Sequence, residues 1–212
     1  NGIFLFMLPG SSIFDFGYAS LDKFFDLSPW ILMFLVPAIS MRSLADEFKA
    51  GTFEILKTRP LSSWQIVLGK YFSILIVLLL TILPTIIYII TIKALSAQGG
   101  IDGGGIAGSY IGLFLLATVF AAISLCCSVF TSNAVVAFLI SSFGCLVLYF
   151  GFNALSKLPF FINGPDYYIE MLGIDFHYRS MSRGVLDSRD LVYFISLIFL
   201  FLLITVKGLH KK

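Results

Sequence analysis

From Gly103 to Ser156 the chain carries no charged residue. Built as one helix, that run would be about 80 Å long, far beyond a hydrocarbon core of about 30 Å. It therefore folds back on itself, and the polar triplet Thr131-Ser132-Asn133 is where the turn belongs. Two spans result, 109–130 and 134–154. The rest of the chain agrees: 58% of it is hydrophobic and 12% charged, against about 25% charged in soluble domains. Its apolar runs are continuous rather than alternating, so the spans are helices and not barrel strands. The expected fold class is all-α, a polytopic membrane helical bundle.

Three further runs complete that bundle. Tyr71 to Ile92 is uncharged between Lys70 and Lys93 and predicts a span over 64–92. Pro84 introduces a kink, and Ser62 with Gln65 forms a capping box at its start. Leu27 to Met41 is short and contains Pro37. It becomes a span over 29–45 when Arg42 snorkels, with Trp30 anchoring the far end. Leu191 to Val206 predicts a last span over 191–207. Ile3 to Leu8 is too short to cross, and residues 1–8 are read as the end of a truncated first span rather than a stray turn, giving six spans. Residues 9–28 form an aqueous loop, and residues 156–190 an external loop with room for one or two short helices. Alternating the spans puts both termini in the cytoplasm, with eight of the fourteen Lys and Arg inside, a mild positive-inside bias.

Between two of these spans lies the most polar stretch of the chain, 42–60, with Arg42, Asp46, Glu47, Lys49, Glu54, Lys57 and Arg59. Leaving such charges in hydrocarbon costs several kcal/mol each, so the stretch sits at a membrane face. Leu44, Phe48, Thr52, Ile55 and Leu56 recur at helical spacing as one stripe, while Glu47 and Glu54 share a neighbouring face. A helix over 46–60 is predicted, ended by Pro60. Gly51 in its middle implies a bend or a close approach by another surface. A solvated amphipathic loop helix is the plain alternative to a docking element.

Several chemistries are missing. No P-loop, HExxH or nucleophile-elbow motif occurs, and no ionisable residue lies at the centre of a span. That argues against a proton- or sodium-coupled carrier, so energy would have to arrive from outside the bilayer. Residues 94–108 contain a literal G-x-G-x-x-G (Gly103, Gly105, Gly108), but no strand precedes it and a hairpin loop is expected. Gly104, Gly108 and Gly112, four apart, would let a helix start pack closely on a neighbour. Cys126, Cys127 and Cys145 lie in apolar runs as small fillers. His177 and His210 stand alone and are expected at the surface or interface. A net charge of +2 makes no case for nucleic acid.

The pattern Ala45-x-Glu47-x-x-x-Gly51-Thr52-x-Glu54-x-Leu56-x-x-x-Pro60-x-Ser62, followed by Gly69-Lys70, resembles the signature between the second and third spans of type-2 ABC exporter permeases. Phe176 to Phe194, with Arg183-Gly184-Val185-Leu186-Asp187, and the closing Phe201 to Val206 are similar to the gliding-motility permease subunits of the GldF type. The resemblance implies a six-span permease in a bacterial inner membrane, acting as a transport subunit and not an enzyme. Glu47, Phe48, Gly51, Thr52, Glu54, Leu56, Arg59 and Pro60 would then form a coupling helix against a cytosolic ABC ATPase. ATP and Mg would belong to that partner, leaving no cofactor, metal or catalytic residue here. A second permease chain, in a homo- or heterodimer, and an accessory membrane protein complete the implied partners. Two rivals stand beside this reading. One is an intramembrane lipid-handling enzyme built on His177 with Asp175 and Asp187. The other is a non-transporting scaffold of a motility or secretion machine.

Overall fold

The computed structural model describes residues 21–57, 61–95, 103–159 and 166–210, and every element among them is helical. Helices α1 (Asp22–Ser40) and α2 (Arg42–Ala50) follow one another across Met41, and α3 (Thr52–Lys57) begins after Gly51. Helix α4 (Ser63–Ile82) runs through a 3-10 turn (Leu83–Ile86) into α5 (Ile87–Leu95). Next come α6 (Gly103–Val129) and α7 (Ala134–Leu146), which passes through a π-helical turn (Val147–Gly151) into α8 (Phe152–Ser156). Two short helices, α9 (Asp166–Met171) and α10 (Ile174–Met181), precede α11 (Ser188–His210). Five stretches are long and apolar enough to cross a bilayer: Asp22–Ala50, Ser63–Lys93, Gly103–Val129, Ala134–Ser156 and Ser188–His210. The expected partial span at 1–8 lies outside the described residues, as do residues 9–20 of the expected loop, Arg59 and Pro60; residues 22–28 of that loop are instead the first turns of α1, because Phe24, Phe25 and Ser28 pack inward.

Helix α6 is the axis of the bundle, with α1, α2, α4, α7, α10 and α11 packed on it. Its most apolar stretch is 78% buried, against 11% for the α4–α5 stretch. Composition explains the difference. Helix α6 mixes bulky Leu116, Phe120 and Ile123 with small Gly112, Ala117, Ala121 and Ser124, all buried, so neighbours approach from every side. Between membrane helices that closeness matters, because van der Waals contact rather than water exclusion drives association. Helix α4 instead presents Phe72, Ile76 and Leu80 outward, where lipid or another subunit covers them.

The glycine-rich stretch departs from the expected hairpin loop. Helix α6 begins at Gly103, not 109, and takes Gly103, Gly105 and Gly108 into its first turns. The reason is contact with the turn after α10. A Cβ on Gly108 would sit 2.6 Å from the Gly184 carbonyl oxygen, and one on Gly112 would sit 2.6 Å from Met181 Cβ. Gly184 itself has a φ of +81° and lies against the Gly105 backbone. Ser109 Oγ donates to the Ser182 carbonyl at 2.8 Å and closes the joint. Two chain segments, the start of α6 and the turn after α10, meet there at backbone distance, which glycine permits.

Elsewhere the local chemistry sets the bends. Pro84 turns the α4–α5 stretch into a 3-10 segment, and the Tyr110 hydroxyl donates to the Thr85 carbonyl at 3.0 Å. A carbonyl loosened from a helix in hydrocarbon needs such a donor. The chain reverses at 131–133, where Asn133 Oδ1 accepts from Val135 N at 2.9 Å to cap α7. Ser62 and Gln65 form the full reciprocal capping box at the start of α4.

Candidate functional site

The polar stretch 42–57 is two short helices, not one. Gly51 closes α2 in the left-handed conformation, φ +70°, and nothing lies within 4 Å of where its Cβ would be. The glycine therefore serves a bend and not a close approach among the described residues. This break resets the helical phase. Leu44 and Ala45 are buried and Phe48 half-buried, as the stripe predicts, but beyond Gly51 it is Phe53 that turns inward while Thr52 is exposed. Phe48 and Phe53 meet edge to face at 4.9 Å, and Thr52 Oγ1 donates to the Glu47 carbonyl at 3.5 Å. Leu56 lies on α3.

The two carboxylates separate. Glu54 is exposed on α3, beside the exposed Asp46 and Lys49 of α2. Glu47 is half-buried and forms an ion pair with Lys70 of α4. It is thus an internal strut that ties the polar segment to the next span, instead of half of an outward-facing acidic pair. Sequence spacing could not reveal this, since the partners are 23 residues apart on different helices.

The opposite end of the bundle holds a denser polar network. His177, expected at the surface, is 4% exposed. Its Nδ1 lies 2.7 Å from Asp190 Oδ1 and its Nε2 lies 2.9 Å from the Met171 carbonyl. Tyr193 stacks on the ring with centroids 3.9 Å apart. Buried Asp175 receives Arg179 Nε at 3.1 Å and Nη2 at 2.7 Å, and Asn153 Nδ2 bridges Asp175 and Glu170. The Tyr178 hydroxyl donates to the Phe25 carbonyl at 2.9 Å, fixing α10 to α1. Burial, and secondarily the Asp26 carboxylate, push that hydroxyl well above the ordinary tyrosine range. A cavity of about 710 Å³ opens beside it, with Asp26, Trp30, Asp175 and Arg183 in its wall.

The cluster that the rival lipid-handling enzyme would need, His177 with Asp175 and Asp187, does not assemble. Asp187 caps α11 instead, accepting from Arg189 N at 3.0 Å. His177 is buried with both nitrogens engaged, by Asp190 and the Met171 carbonyl, so it has no nitrogen left to take a proton from a substrate. The His177–Asp190 pair is a brace between α10 and α11. Among the described residues no group of three His, Cys, Asp or Glu is placed to hold a metal.

A family model, ABC-2 family transporter protein, matches residues 11–174, most of the chain. No curated protein matches it closely enough to serve as a relative. The match runs from the segment before α1 through the polar stretch to the start of α10, so it contains the five-helix core apart from α11. Permeases of this kind work with a partner ABC ATPase and form dimers. An all-helical bundle with membrane-length spans, organised around one buried helix and matched over most of its length, thus belongs to the ABC-2 transporter family as a membrane permease subunit.

Proposed function

We propose that this chain is the membrane-spanning subunit of an ATP-driven exporter of the gliding-motility, GldF type, seated in a bacterial inner membrane with both termini in the cytoplasm. The segment 46–60, two short helices about Gly51 over its described part, acts as its coupling element, lying in a cleft of a cytosolic ABC ATPase that holds the ATP and Mg. A second permease chain completes the translocation path, and an accessory membrane protein joins the assembly.

One observation carries this reading: the segment is fixed on its inner side and charged on its outer side. Leu44, Ala45 and Phe53 are buried, while Asp46, Lys49 and Glu54 are exposed. A push on the charged side has two routes into the bundle. Covalently, α2 continues from α1; through the Glu47–Lys70 pair it grips α4. Both spans pack on α6, so movement of the segment shifts two walls against one axis. The bend at Gly51 lets α3 adapt to the ATPase surface while α2 stays packed.

The test is ATP hydrolysis by the partner ATPase in proteoliposomes with wild-type permease or Glu54→Lys. Reversing a charge at an interface costs several kcal/mol when it meets its own sign. Permease-dependent stimulation should therefore fall at least about tenfold, with an unchanged unfolding midpoint. Stimulation equal to wild type would refute the docking role of this segment.

A further inference from the structure

The cavity of about 710 Å³ beside Tyr178 is a cleft between α1 and α10, within the range of about 300–1,000 Å³ typical of small-ligand sites. Helix α1 gives it Asp22, Asp26 and Trp30, four residues apart and therefore on one face. Helix α10 and the turn after it give Asp175, Arg179 and Arg183 at the same spacing. The π-helical turn between α7 and α8 adds Tyr149 and Phe150. Turns of that kind recur at functional sites.

The charges of these walls narrow the choice of occupant. Three carboxylates stand against two guanidiniums, an excess of one negative charge. Asp175 is buried and holds Arg179 through both of its oxygens, so that pair is neutral within the wall. The accessible charges are Asp22 and Asp26 against Arg183, all exposed, and the balance still favours a cation. Among the described residues no group of three His, Cys, Asp or Glu is placed to hold a metal, which leaves an organic cation. The aromatic surface suits one. Trp30 is 48% exposed, with Phe150 against part of its ring at a centroid distance of 4.6 Å. Asp26 sits one turn away on the same face, a rise of about 6 Å. Its carboxylate has no hydrogen bond or ion pair among the described residues, and it faces the cleft closely enough to act, after burial, on the Tyr178 hydroxyl. An ammonium between the two side chains meets a carboxylate oxygen and lies within about 6 Å of an aromatic ring, the range of cation–π attraction.

We propose that this cleft binds an organic amine in its ammonium form, with the charge between the Asp26 carboxylate and the Trp30 ring and the apolar body along Phe150. A neutral polyol could hydrogen-bond to the same walls but would leave their excess charge unmet. The site rests on the cleft itself and not on the docking of an ATPase, so either can fail without the other.

Binding to the intact permease, purified in mild detergent with its subunits, is measured by isothermal titration calorimetry. The probes are phenethylamine, 2-phenylethanol and phenylacetate, which share a ring and a short chain and differ mainly in charge. Phenethylamine should bind at least about tenfold more tightly than the other two, since a hydrogen bond to a charged group discriminates by about that much. Asp26→Asn should weaken it about tenfold, and Trp30→Leu about threefold. Arg183→Gln should tighten it about threefold by removing the opposing charge, a gain that loss of a purely structural side chain would not give. All three positions are exposed, so the unfolding midpoint should stay in place. Phosphatidylethanolamine added to the detergent identifies the source of the amine: competition assigns the ammonium to a lipid headgroup, and its absence to a soluble amine. If Asp26→Asn fails to fold, Arg183→Gln and the charge series decide alone. Binding of the alcohol or the carboxylate as tight as that of the amine, no binding of any probe, wild-type binding by Asp26→Asn, or weaker binding by Arg183→Gln would each overturn the proposal.

Discussion

At the end of the bundle that carries His177, Asp175 and Asp190 are nearly inaccessible, and each has a charged or ionisable partner within 3 Å. Glycine backbones there touch between the start of α6 and the turn after α10. At the end that carries Gly51, the connecting helices are short, a left-handed glycine stands in open space, and among the described residues one ion pair, Glu47–Lys70, links the polar segment to α4. One end is braced by buried ionisable pairs and backbone contacts; the other is held on its inner side by Leu44, Ala45 and Phe53, while Asp46, Lys49 and Glu54 stay exposed. Local motion is cheapest where few buried contacts hold the backbone, which at the second end is the open bend at Gly51.

Four substitutions would break or sharpen the contrast. The largest effect is expected from His177→Leu, which leaves Asp190 buried without a partner; about 3 kcal/mol of stability should be lost, read as a lower unfolding midpoint in detergent. Next is Gly184→Ala, where positive φ and the Gly105 backbone act together. It should cost about 2–3 kcal/mol by the same measurement. Gly51→Ala isolates the first of those terms, since its φ is equally positive but its surroundings are empty. A cost of about 1 kcal/mol is expected, and a larger one would mean the Gly51 end is packed as tightly as the other. The smallest effect belongs to Ser62→Ala, which removes one exposed cap of α4 at about 0.5–1 kcal/mol.

Those elements also differ in how far they could be foreseen. The fold-back at 131–133, the capping box at Ser62 and the irregular turn at Pro84 are local: each follows from residues within one helical turn. The phase beyond Gly51 is not legible in the stripe, because a period of 3.6 assumes continuous right-handed geometry and one left-handed residue turns Phe53 inward in place of Thr52. The early start of α6 is hidden in the sequence because its glycines look like a loop until the backbone that Gly105 and Gly108 touch, Gly184, is known. The burial of His177 is illegible in the sequence for a related reason. Its brace comes from Asp190, 13 residues on and across a turn, and no spacing rule pairs residues whose helices meet only in the folded bundle. Glu47 likewise reads as a surface acid until α4 brings Lys70 beside it.

The opposition of the two ends is tested most directly by labelling with a membrane-impermeant maleimide in intact cells and in inside-out vesicles. Lys49→Cys and Arg189→Cys place the probe at exposed positions of the two ends. Cys126, Cys127 and Cys145 lie within spans, two of them buried and one half-buried, and stay out of reach of the reagent. Lys49→Cys should react only in inside-out vesicles, and Arg189→Cys only in intact cells. Reaction of Lys49→Cys in intact cells would put the polar segment on the wrong side of the membrane for any ATPase and contradict its role in coupling.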